Sequence, residues 1–289
     1  MTKIKKSIIK PELTDLKITK PSQTDPQKIN HVINAAAEEI IDFTQTLVST
    51  PPQTIGSEYI NFSNMSAEEI EHFFNLKNQE LTETLAGCNG TRERAVAAAV
   101  FLATNFPKLP YFWGGGHSES YEEMLGINRK LGSSQIVTEA YGEEYIQGQS
   151  YTYGYDCSGF VSWCLINAGY PNFTRTEVVR ELNNIEGSQR IGIASEGAIE
   201  KVKPGDLAII GDSHIGIVID VNKETNEITI AHESGSGGGM NITTQSTLTG
   251  KITADDLGST NDINQNNKEI QPRIDQNYFT EIVLMDYPD

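Results

Sequence analysis

Residues Cys157 to Ala168 constrain this chain most. Cys157, Phe160, Val161, Cys164, Leu165 and Ala168 recur at steps of three and four, which predicts a helix whose buried face begins at a cysteine. A thiol in the first helical turn meets the positive end of the helix dipole and unpaired backbone N–H groups, and both favour thiolate over thiol. Taken alone, a cysteine is more often a small buried core side chain. The residues around it must decide.

After this segment the pattern changes to short strands. Lys203-Pro204-Gly205-Asp206 reads as a turn into Leu207 to Ile210, followed by strand-like runs at Ile215 to Val221 and Glu227 to Ala231 and a closing run at Tyr278 to Met285. A helix followed by strands predicts an α+β domain with the helix on an antiparallel sheet. Ahead of it, three helices are expected. The first starts at Asp25-Pro26, carries Ile29, Val32, Ile33, Ala36, Ile40 and Phe43, and stops at Pro51-Pro52. The second follows the capping box at Ser66 to Glu69 and stops near Gly87; the third runs from Thr91 to Phe106, before Pro107 and Pro110. The expected division is a flexible basic lead-in over 1–24, a helical N-terminal region over 25–90 and a main domain over 91–289. Polar stretches at about 117–154 and 250–277 read as surface insertions, the first a candidate lid.

Charge limits the partners. The net charge is −17 and the isoelectric point about 4.7, which excludes nucleic acid and electrostatic capture by anionic membranes or wall polymers. Six lysines against Glu12 and Asp15 put residues 1–24 at +4, so the remainder carries −21. No window of 18 apolar residues exists, so no integral membrane segment is expected. The Lys-rich start is interrupted by Pro11, Glu12, Thr14 and Asp15, so no signal peptide is read in the chain as given. Three cysteines make no even disulfide framework. Cys157 and Cys164 would lie about 10 Å apart along one helix, beyond bridging distance.

A cysteine nucleophile needs a base, normally a histidine oriented by a third polar group. Of five histidines, His31 and His72 fall on expected helices, and His117 opens the first polar stretch without an evident anchor. His214 and His232 each sit at a strand edge. By the period of two, His214, Gly216, Val218 and Asp220 share one face, away from the apolar side of Ile215, Ile217, Ile219 and Val221. With Asn222 to Asn226 as loop, Val221 would pair with Glu227 and Gly216 with His232, leaving the two histidines about 7 Å apart on one face. A Cys157/His214/His232 triad is then available. Two plainer readings stand beside it: satisfied structural histidines, and a zinc site. The paired short spacings of structural zinc sites are missing, so neither metal nor cofactor is expected.

These residues resemble the NlpC/P60 family of papain-like cysteine peptidases, which mostly cleave bacterial peptidoglycan stem peptides. Pro110-Tyr111-Phe112-Trp113-Gly114-Gly115 is similar to the family's Pro-Tyr-x-Trp-Gly-Gly segment, and Asp156-Cys157-Ser158-Gly159-Phe160-Val161 to its nucleophile motif. Arg175-Thr176, Lys203 to Leu207, His214 to Val218 and Ile230-Ala231-His232 resemble further family segments, the last with Ala and His exchanged. The resemblance spans about residues 92–240 and the last strand. It implies a papain-like fold in which Cys157 is the nucleophile, His214 the base and His232 the orienting residue. It further implies that Tyr111 helps polarise the scissile carbonyl, and that Asp156 and Ser158 hold the free amino end of a stem peptide. The implied substrate bond joins γ-D-glutamyl to a diamino acid, and the expected location is extracytoplasmic, secreted or wall-associated. A papain-like amidase or acyltransferase on another envelope substrate, and a catalytically silent wall-binding module, are the competing readings. Residues 1–90 match no recognised wall-binding repeat.

Overall fold

The computed structural model describes residues 65–106, 109–118, 120–127, 138–140, 143–149, 151, 154–171, 173, 177–235, 239–256 and 273–288. All of them belong to one compact unit, Thr54–Asp289. The expected first helix with His31, the basic lead-in, and Arg175-Thr176 lie outside the described residues. So does 257–272 of the second expected insertion.

Helix α1 (Ala67–Ala86) starts where the capping box predicts: Ser66 Oγ accepts from the Glu69 amide at 3.3 Å, and the Glu69 carboxylate accepts from the Ser66 amide at 2.7 Å. Gly87 closes it. Helix α2 (Thr91–Asn105) follows, and Ala95, Ala98, Ala99 and Leu102 bury its inner face. After the single turn α3 (Tyr121–Met124) and a two-stranded ribbon, β1 (Thr138–Ala140) with β2 (Glu143–Tyr145), comes α4 (Cys157–Ala168). Asp156 caps α4, and Gly169, in the left-handed region at φ 78°, ends it.

The sequence predicts one buried stripe on α4, but the structure buries Cys157 through Ile166 and Ala168 on all sides. Its polar side chains are tolerated because each finds a partner. Trp163 Nε1 donates to the Gly126 carbonyl at 2.7 Å. Asn167 donates to the Met124 carbonyl at 2.9 Å and accepts from the Gly126 amide at 2.6 Å, while Ser162 bonds the backbone of Glu177 in both directions. Burial of Phe160, Val161, Leu165 and Ile166 contributes roughly 1.5–3 kcal/mol each.

Those partners correct a second expectation. Met124 and Ile127 are buried in the main core, and Asn78 of α1 clasps Ile127 through both its carbonyl and its amide. The start of the 117–154 stretch is therefore core. Further on, Tyr145 stacks on Phe112 at 5.0 Å, which pins the ribbon to the aromatic run before the glycine turn.

The remaining strands are β3 (Gln189–Gly192), β4 (Leu207–Ile210), β5 (His214–Asn222), β6 (Glu227–Ser234), β7 (Gly239–Ser246), β8 (Ile252–Asp256) and β9 (Glu281–Leu284), with one-turn helices α5 (Val179–Leu182) and α6 (Ala198–Lys201) between. They form one antiparallel sheet in the order β3-β9-β4-β5-β6-β7-β8, so the chain is α+β. Strand β8 lies within the span expected as the second insertion. Helices α1, α2 and α4 share a core with Ile209, Ile215, Ile217, Ala231 and Met240, whereas Val218, Ile228, Ile230 and Ile282 face a second core with Ile199 and Phe279. Both sheet faces are thus apolar, where the sequence expects one.

The β5–β6 hairpin joins Asn222 to Glu227 and Val221 to Ile228, one residue off the expected register. A bulge between Val218 and Asp220 removes the offset, so Ile217 pairs with Ala231 and the histidines stand as the sequence reading places them.

Candidate active site

The thiol end of α4 is built by backbone. Gly114, Gly115 and Gly116 wrap the first helical turn: Asp156 N donates to the Gly115 carbonyl at 2.9 Å, and Gly114 N donates to Asp156 Oδ2 at 2.9 Å. A Cβ on Gly159 would come within 2.1 Å of the Gly115 carbonyl oxygen, so the turn seats on the helix only because glycines meet there. Asp156 Oδ1 accepts from Gly159 N at 2.8 Å and Ser158 Oγ at 3.0 Å, and lies 2.9 Å from His117 Nε2. His117, which the sequence leaves without an anchor, is thus fixed by Asp156, with Ser158 Oγ 3.2 Å away. Both Asp156 oxygens already have protein partners, so what it presents beyond them is its charge. Cys157 is 6% exposed. The backbone amides of Ile215, Ser158 and Cys157 itself face its sulfur.

Strand β5 passes the helix tip and carries His214. Its Nε2 lies 2.9 Å from His232 Nδ1 on β6, with the rings edge-to-face at 5.0 Å. Gly216 allows this pairing: a Cβ there would come within 2.8 Å of the His232 Cβ and 2.7 Å of Ile230 Cγ2. The space that the glycine leaves is filled by the neighbouring strand. Phe279 stacks on His214 at 5.6 Å, and Gln245 on β7 fixes Phe279 by accepting from its amide and donating to its carbonyl.

Beyond His232 the network continues into segments that the sequence reading passes over. His232 Nε2 lies 2.9 Å from Thr243 Oγ1, which donates to Asp255 Oδ1 at 2.7 Å. Arg273 grips Asp255 through Nε on Oδ2 and a terminal nitrogen on Oδ1, both at 2.9 Å, and its guanidinium lies 3.8 Å from the Tyr278 ring centre. Both ring nitrogens of His232 are therefore engaged, which leaves it none for a metal.

Burial dominates the electrostatics. It pushes the Cys157 thiol up to about 12, with the Asp156 carboxylate adding to it against the facing backbone amides. Burial also lowers His214 to about 3, helped by the Arg273 charge and opposed by Asp156. His232 is lowered well below its ordinary value by burial and then by His214. The resting pair is neutral thiol and neutral imidazole, which overturns the expected thiolate: desolvation outweighs the helix dipole. Burial likewise raises Tyr111, with the neighbouring thiol and acids adding, so its phenol stays protonated as a donor. Asp156 would be raised by burial, but hydrogen bonds from His117, Gly159 and Gly114 hold it low. Glu233, buried with neither carboxyl oxygen paired, is pushed well up by burial and by Asp156.

Cys157, His214, His232, Tyr111, Asp156 and Ser158 thus gather where α4, β5 and the glycine turn meet. Sequence reasoning misses the roles of His117, Thr243, Asp255, Arg273 and Glu233. For His117 a signal existed, since an Asp helix cap is a ready acceptor one turn from the glycines; for Thr243, Asp255 and Glu233 only strand pairing supplies it, and Arg273, on no strand, is placed by its contacts with Asp255. No protein-family model, curated protein or solved structure matches the chain.

Proposed function

We propose that the chain is a papain-like cysteine peptidase of the NlpC/P60 kind that hydrolyses peptidoglycan stem peptides outside the cytoplasm, at the bond from γ-D-glutamyl to a diamino acid. The observation that carries the reading is the His214–His232 contact of 2.9 Å on the strand whose Ile215 amide faces the Cys157 sulfur. A buried nucleophile helix on an antiparallel sheet is the arrangement such a fold requires.

With His214 Nε2 committed to His232, Nδ1 is the nitrogen left for the thiol. As the sulfur bonds the scissile carbonyl carbon, the thiol proton passes to Nδ1. The carbonyl oxygen becomes an anion, for which the Cys157 amide and the Tyr111 phenol are the donors. Collapse breaks the C–N bond, and the imidazolium gives its proton to the leaving amine. Water then attacks the thioester carbon while His214 takes its proton, which returns to the sulfur as the acid departs. The fixed Asp156 charge beside Cys157 suits a substrate ammonium. This also explains the neutral resting pair: charge separates only once substrate fills the site.

Digestion of purified muropeptides, read by mass spectrometry, tests the proposal. Wild type is expected to release two fragments whose masses place the cut, and Cys157→Ala none. Equal product from both removes Cys157 from the chemistry, and a cut at the sugar–peptide linkage assigns an amidase.

A further inference from the structure

We propose that Asp255, clamped by Arg273 and acting through Thr243, sets the tautomer of the two histidines so that His214 presents an unprotonated Nδ1 to Cys157. The roles of nucleophile and base rest on the function proposed above; the proton order rests on hydrogen-bond geometry between two imidazoles that burial keeps neutral. Asp255 is ionised against Arg273, with its side chain fully buried, and a carboxylate can only accept. Thr243 must therefore spend its single O–H on Asp255 Oδ1 at 2.7 Å. Its lone pairs are left for donors: the Arg273 terminal nitrogen at 3.3 Å and His232 Nε2 at 2.9 Å. His232 then carries its proton on Nε2. Being neutral, it has an acceptor at Nδ1, and the contact to His214 Nε2 at 2.9 Å requires a proton on that nitrogen. His214, also neutral, is left with a lone pair on Nδ1. Each link has one consistent direction. The order originates at a carboxylate three hydrogen bonds from the base.

Replacing the carboxylate by an amide reverses the source. The side-chain amide introduced by Asp255→Asn can donate to Thr243, whose O–H is then free to donate to His232 Nε2. His232 would carry its proton on Nδ1, and His214 would receive it at Nε2 and turn a protonated Nδ1 to the thiol. Thr243, Asp255 and Arg273 are thus positioning residues, none touching substrate.

The test uses the full-length protein with 15N-labelled histidine, and imidazole 15N shifts report which nitrogen bears the proton. The expected wild-type result is Nε2–H on both histidines. Asp255→Asn is expected to move both to Nδ1–H and lower kcat/KM on the order of 10²–10⁴-fold, the scale of a lost or mis-set general base. If that variant fails to fold, Thr243→Val and Thr243→Ser leave the Asp255–Arg273 pair in place. Valine should scramble the tautomers and lower kcat/KM roughly 10–100-fold, with serine restoring both. Wild-type His214 protonated on Nδ1, or 15N patterns unchanged in folded Asp255→Asn or Thr243→Val, overturns the proposal. The shifts need no substrate, so the two readings fail separately. Tautomers that move in a protein inert toward muropeptides sink the function and keep the proton order; activity with unmoved tautomers does the reverse.

Discussion

Two Arg–Asp pairs tie distant segments of this molecule together, and they differ in what else the carboxylate holds. Arg92 meets Asp206 at 2.9 Å and also donates to the carbonyls of Pro204 and Met285, while its guanidinium lies 4.5 Å from the Tyr287 ring centre. The other partners of Asp206 are the backbone amides of Lys203 and Met285. That pair ends in main chain on every side, fastening α2 to the entry of β4 and the exit of β9. Arg273 and Asp255 make an equally close pair, but Asp255 also accepts one bond from the Thr243 hydroxyl, which thereby points its proton at the acid. An ion pair that ends in amides fixes the chain, and one that ends in a hydroxyl fixes a proton.

The sharpest way to break this contrast is Asp206→Ala. It leaves Arg92 without its acid and two amides uncapped, so urea unfolding should show a loss of about 3–5 kcal/mol. Activity per folded molecule should hold. Asp255→Asn should cost less, about 1–3 kcal/mol, while activity collapses. Equal stability losses, or an Asp206 variant that folds well but is inactive, would erase the distinction.

The thiol provides a second, smaller effect. With Cys157 pushed up to about 12, iodoacetamide alkylation should climb about tenfold per pH unit from about pH 6 to about pH 10, in wild type and Asp206→Ala alike. A flat rate across that range would mean a preformed thiolate. The fully buried Cys164 should not react on the same timescale.

The smallest effect concerns Glu233, an acid with no arginine. Its folded pKa is raised, so above the unfolded carboxyl range, near about 4.3, the native state holds a proton that the unfolded chain has lost. Stability therefore falls as pH rises from there toward the folded value. Glu233→Gln should flatten that decline in urea titrations at increasing pH. A variant with the wild-type slope would show Glu233 already ionised in the fold.

Local rules made much of this legible. The capping box at Ser66, the stop at Gly87 and the parity of His214 and His232 each depend on residues within a turn or a hairpin. What escaped depends on neighbours far along the chain. Thr243 and Asp255 belong to a polar strand and the edge strand β8, and only β6–β7–β8 pairing lines them up behind His232, while Arg273 reaches Asp255 from the far side of the 250–277 stretch. The thiol's protonation was misread for a similar reason. A helix terminus is visible in sequence, but complete burial of α4 depends on Met124, Gly126 and Ile127, which read as a surface loop.

The bulge at Ile219 gives the β5–β6 hairpin two independent ends. Because the extra residue takes up the offset between tip and base, the turn at 223–226 can be lengthened, tagged or replaced without dragging the imidazoles. The hairpin tip is thereby a safe attachment point for a fluorophore or an affinity handle. Ile219 itself is only the spacer: Val218 pairs with Ile230 and Asp220 with the adjacent Thr229, so deleting that one residue would leave a regular ladder with every other pair in place.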